Sequence, residues 1–162
     1  MKKYFLVFIP LFLHAVPDQW DLLSQKEKLT LEEAAFFIAS YKGYTCSQGC
    51  LKVLRDQHID NSNQKSSDFL TRATLAQWLH RSFQLPKGLW YSITGWGRYA
   101  HADMQALGIM SSSKGDFNFV SGEALIGILE TAAEKEAFYR GNQSPNALKS
   151  FASKKTNTRS VP

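Results

Sequence analysis

Thr30-Leu-Glu-Glu-Ala-Ala-Phe-Phe-Ile38, Thr71-Arg-Ala-Thr-Leu-Ala-Gln-Trp-Leu79 and Ser121-Gly-Glu-Ala-Leu-Ile-Gly-Ile-Leu129 overlay one another without a gap. Each begins with a hydroxyl residue, the kind that caps a helix by accepting a hydrogen bond from a free backbone N–H. Each then continues with apolar residues at helical spacing. A second echo pairs Cys50-Leu-Lys-Val-Leu-Arg-Asp-Gln-His-Ile59 with Ala100-His-Ala-Asp-Met-Gln-Ala-Leu-Gly-Ile109. Recurrence at roughly 40–50 residues is the trace of a copied supersecondary unit, which buries its apolar face only against its neighbours. The chain is therefore expected to be all-α, a small array of two to three helix-loop-helix units rather than an enzyme built around one cleft.

Working outward, Thr30 with Glu33 forms a capping-box pattern, and Gly43 is placed to stop that helix. A second helix is expected over Cys50 to Ile59, followed by a polar loop over 60–67. Thr71 should cap a helix through Phe83, closed by Leu85-Pro86-Lys87-Gly88. Leu89 to Gly97 reads as an irregular or one-turn helical link. The next helix is expected from Arg98 to Leu107, with Gly108 as its left-handed cap. After a loop over 111–116, Ser121 caps the last long helix, to about Tyr139. Ala34, Ile38, Leu75, Leu79, Leu125 and Leu129 should share one core.

The ends have a different character. Met1-Lys2-Lys3, an apolar stretch over 4–13 and Ala15 fit an export signal over residues 1–15. The stretch is short for a membrane span. Residues 16–28 read as a linker, 29–140 as the helical domain and 141–162 as a polar, basic, disordered tail. Hydrophobic residues make up 44% of the chain and the formal charge is +5. Much of that charge lies in the signal (Lys2, Lys3) and the tail (Lys149, Lys154, Lys155, Arg159), which leaves the helical body close to neutral. No nucleic-acid partner is expected, because binding one needs a basic stripe on a structured face. Once the signal is removed, no transmembrane segment remains.

Cys46 and Cys50 are close in sequence in a chain read as exported, which predicts a disulfide, with Gly49 breaking helical regularity between them. Neither a metal site nor a cofactor is expected, since no further Cys or His lies near to complete a ligand set. The 60–71 stretch lacks the glycine and the bidentate acid of a calcium loop. No histidine stands at recognisable spacing from a nucleophile. Glu32, Glu33 and Glu123 open helices, where the dipole favours a carboxylate. Leu89-Trp90-Tyr91-Ser92-Ile93-Thr94-Gly95-Trp96-Gly97-Arg98-Tyr99 supports two expectations: a surface for stacking on sugars or docking a protein, or a plug sealing the helix ends.

Phe69-Leu-Thr-Arg-Ala-Thr-Leu-Ala-Gln-Trp-Leu-His-Arg-Ser-Phe83 resembles the signature helix of S-layer homology domains, whose motif reads Thr-Arg-Ala-Glu followed by apolar positions. Tyr99 to Ile109, ending Ala-Leu-Gly-Ile, resembles the second helix of that unit. Gly115-Asp-Phe-Asn-Phe119 is similar to its Gly-x-Phe-x-Pro loop, with Phe119 in place of Pro. The resemblance spans Leu29 to about Ala133. It implies a pseudo-threefold helical prism that tethers exported proteins to cell-envelope glycans, often through the motif arginine. Only the middle copy keeps that arginine, as Arg72; Leu31 and Gly122 stand in the others. The motif glutamate is Glu33 in the first copy but Thr74 and Ala124 elsewhere, and the family pattern has no cysteine pair.

Together these features imply an exported, non-catalytic envelope module, periplasmic or wall-associated. Arg72 and Arg98 would bind an acidic wall polysaccharide, with Trp78, Trp90 or Trp96 stacking on a sugar face. The alternatives are a structural domain docking an envelope protein through the aromatic link and, less favoured, a hydrolase using Glu123 and Asp103.

Overall fold

The computed structural model describes residues 16–142, and the signal read over 1–15 and most of the tail lie outside them. Among the described residues there are seven helices and no strand: α1 (Val16–Ser24), α2 (Leu31–Lys42), α3 (Cys50–Asp56), α4 (Arg72–Ser82), α5 (Leu89–Thr94), α6 (Gly97–Ala106) and α7 (Gly122–Asn142). The fold is all-α. Helix α2 packs on α3, α4 on α6 and α7 on α1, with α5 against α6 and α2 also meeting α7. The six residues expected to share a core are all buried.

The three hydroxyl residues act as caps. Thr30 accepts from Glu33 N–H while Glu33 accepts from Thr30 N–H, the full capping box. Thr71 accepts from Thr74 N–H and Ser121 from Ala124 N–H. Each cap follows a buried apolar residue, and those three residues close a ring of backbone hydrogen bonds. Leu29 N–H donates to Val120 C=O (3.0 Å), Val120 N–H to Leu70 C=O (3.1 Å), and Leu70 N–H to Leu29 C=O (2.8 Å). A wider set surrounds it: Leu31 N–H to Asp68 C=O, Arg72 N–H to Asn118 C=O, and Gly122 N–H to Lys26 C=O. These bonds satisfy backbone groups that a buried helix start would otherwise leave unpaired.

Helices α3 and α6 also end alike. Ile59 and Asp60 both donate to Leu54 C=O, as Ile109 and Met110 do to Met104 C=O. His58 (φ 57°) and Gly108 (φ 71°) take the left-handed turn at matching places. That conformation is uncommon for a residue with a side chain.

One expectation is corrected. The stretch read as a linker over 16–28 contains α1, whose Leu23 is buried and whose Trp20 meets Phe37 edge-on at 4.4 Å between ring centres. Its end lies so close to the start of α7 that a side chain at Gly122 would collide with the Leu23 carbonyl. Short, mixed sequence hid this helix; the apolar face it covers decides its place.

Candidate functional site

Arg72 is the first residue of α4, directly after its cap. Instead of lying open to solvent it is buried, 4% exposed. Its Nε donates to Nε2 of His101 on α6 (3.3 Å) and its Nη2 to the Ser111 carbonyl (3.4 Å). Both acceptors are neutral, and none of the ion pairs among the described residues includes Arg72. Burial pushes its pKa down, yet a guanidinium stays charged. His101 is held neutral in turn: burial and the Arg72 charge lower its pKa against the opposing pull of Asp116.

Beside this pair lies an open cleft of about 260 Å³, lined by Arg98, His101 and Gln105 of α6 and by Ser112, Lys114 and Asp116 of the following loop. Arg98, His101 and Gln105 recur at helical spacing, so one face of α6 forms its wall. Two exposed cations and one half-buried acid leave the cleft net positive; Arg72 does not line it and is linked to it through His101.

The ligand-stacking residues expected from sequence separate. Trp78 is 1% exposed and its indole N–H donates to Asp60 Oδ1 (3.2 Å), so it presents no face to a ligand. Its role is structural. Burial would raise the Asp60 pKa, but bonds from Ser62, Arg55 and Trp78 hold it below the usual value. Trp90 and Trp96 are 63% and 64% exposed and each stacks with Tyr99, with ring centres 6.2 Å apart in both cases. The aromatic stretch divides: Tyr91 is buried against the helix ends while the two tryptophans face out.

Comparison with known protein families, curated proteins and solved structures returns no match. Function must therefore be read from the chain's own geometry.

Cys46 and Cys50 are joined by a disulfide, with Gly49 in a left-handed-side conformation (φ 99°) just before α3. Glu32, expected to serve its own helix, instead accepts from Cys50 and Leu51 N–H and so caps α3. The two acids considered for hydrolysis line different clefts, Asp103 beside Gly88 and Glu123 beside Ser24. Asp103 accepts from Gly88 N–H and faces the buried His80 ring at 3.4 Å. Burial pushes the His80 pKa down to about 4, with Asp103 opposing and Lys87 reinforcing the shift.

Sequence reasoning missed His101 as the partner of Arg72. The signal was present: the second echo sets His101 against Leu51, a polar residue in a slot that is apolar in the other segment.

Proposed function

We propose that this chain is an exported envelope-binding module in which three helix pairs form a pseudo-threefold prism and one pair carries an acid-binding cleft. The closed ring through Leu29, Leu70 and Val120 supports the prism, as does the shared ending of α3 and α6. The third pair is α7 with α1, so the segment that opens the helical body completes the unit that closes it.

The observation that carries the binding proposal is the buried Arg72. Buried charges are normally paired, because leaving water costs several kcal/mol that neutral acceptors only partly offset. His101 fixes the guanidinium at Nε, while Nη2 lies on the Ser111 side. An anion in the adjoining cleft would supply the missing charge and meet Arg98 and Lys114 at its mouth. A carboxylate- or phosphate-bearing polysaccharide of the envelope fits that chemistry, and the cleft needs no catalytic group to hold it. Arg72 then acts as a planar anchor rather than a point charge.

Retention on purified wall sacculi, with and without their attached polysaccharide, tests this. Wild type should be retained only when the polysaccharide is present. Arg72→Lys should weaken retention, and Arg72→Ala should weaken it further with unchanged circular dichroism. Equal retention of a folded Arg72→Ala protein would remove the cleft from consideration.

A further inference from the structure

The link between α4 and α6, residues 83–96, is longer than the link between α2 and α3, residues 43–49, and the extra length carries α5. This helix is firmly held. Gly88 N–H donates to Asp103 at its start, Gln77 donates to Gly95 C=O at its end, and the buried Tyr91 stacks on His80 at 4.5 Å. Its outer side is unusual. Leu89, Trp90, Ile93 and the following Trp96 are 70%, 63%, 67% and 64% exposed, four large apolar side chains within one short stretch. A protein gains no stability from displaying them, and contiguous exposed apolar surface marks a contact site.

The composition of the patch selects its partner. Sugars stack on flat rings, but Leu89 and Ile93 are aliphatic and as exposed as the tryptophans. Aliphatic tips between tryptophans suit the boundary of a lipid bilayer, where indoles sit at headgroup level and aliphatic groups enter the acyl region. Exposed Lys87 and Arg98 bracket the stretch, and its nearest acid, Asp103, already receives Gly88 N–H and faces His80. That charge pattern complements anionic headgroups. Among the described residues no helix is long and apolar enough to cross a membrane, so contact through α5 would be peripheral.

We propose that α5 and Trp96 form a docking tip for the surface of an anionic bilayer, with Lys87 and Arg98 against the headgroups. The tip adjoins the Arg72 cleft at Arg98, which lines both, but its apolar residues and Lys87 line no part of the cleft.

The test is co-sedimentation of the full chain with vesicles of phosphatidylcholine alone, or of phosphatidylcholine and phosphatidylglycerol in equal parts, read together with tryptophan emission. The wild-type protein should sediment with the anionic vesicles, shift its emission to the blue, and bind less at high salt. Leu89→Ser with Ile93→Ser, both at exposed positions, should lower the bound fraction roughly tenfold or more. Lys87→Gln, a change outside the Arg72 cleft, should weaken the preference for anionic vesicles. Arg72→Leu with His101→Leu should bind vesicles as wild type does, which keeps failure of this proposal distinct from failure of the glycan cleft. Equal sedimentation of wild type and the Leu89/Ile93 variant would overturn the proposal. So would a Leu89/Ile93 variant that keeps vesicle binding but loses retention on sacculi, since α5 would then belong to a glycan or protein contact.

Discussion

In the α2–α3 pair the first helical residue is Leu31, and position 51 on the partner helix is also leucine. In the α4–α6 pair the matching positions hold Arg72 and His101. All four side chains are buried. The surrounding backbone is the same in kind: a hydroxyl cap, a preceding apolar residue in the hydrogen-bonded ring, and a left-handed turn at the end of the second helix. The difference is therefore one of filling rather than framework. An apolar pair in that slot is compatible with this fold, so burying a cation and an imidazole there is not demanded by folding. That a costly pair occupies only one of the two matching slots is what supports the proposed site.

The sharpest way to break the comparison is to place the charge in the wrong copy. Leu31→Arg puts a guanidinium beside Leu51, which offers no acceptor, and should destabilise the protein by about 3–5 kcal/mol in chemical denaturation. A loss below 1 kcal/mol would mean that the two slots are not equivalent. Next comes the shared core. Ile38 and Leu79 fall at the same place after their caps and both are fully buried. Truncating either to Ala should cost about 3 kcal/mol from lost transfer and cavity terms. Costs differing several-fold would show that α2 and α4 do not face the core alike.

Acid should discriminate between the pairs as well, since only α4–α6 holds buried histidines. His80 titrates at about 4 in the folded chain against an ordinary 6.5. The unfolded chain therefore takes up that proton first. Stability from this source is whole above pH 6.5 and falls as the pH drops toward 4, by on the order of 2–3 kcal/mol. His101 contributes in the same direction. Thermal melts from pH 7 to 4 should show the decline, and His80→Phe, which keeps a ring against Tyr91, should flatten it. A smaller effect is expected from the other pair's own feature. Removing the Cys46–Cys50 bridge with two serines closes no long loop and should cost about 2 kcal/mol.

Helix starts were legible because capping chemistry is local: Thr30, Thr71 and Ser121 each announce themselves within four residues. The turn at Gly108 was legible for the same reason. Helix α1 was not, because Trp20 and Leu23 are apolar positions in a short segment and gain meaning only from Phe37 and Gly122, distant in sequence. Arg72 was legible as a candidate but its burial was not, since no local pattern reveals that a helix 29 residues later presents an imidazole to it. Trp78 failed as a ligand platform on similar grounds. Its partner, Asp60, comes from a loop that looked merely polar.

The central claim is that the Arg72–His101 pair is retained for binding and not for stability. Making the α4–α6 slot resemble its counterpart, with Arg72→Leu and His101→Leu together, separates the two. Denaturant unfolding and retention on polysaccharide-bearing sacculi should be measured on the same preparation. The expected result is a protein at least as stable as wild type, because well-packed apolar residues often replace buried charge without loss, whose retention falls roughly tenfold or more. A double variant that remains folded and is retained as strongly as wild type would contradict the account.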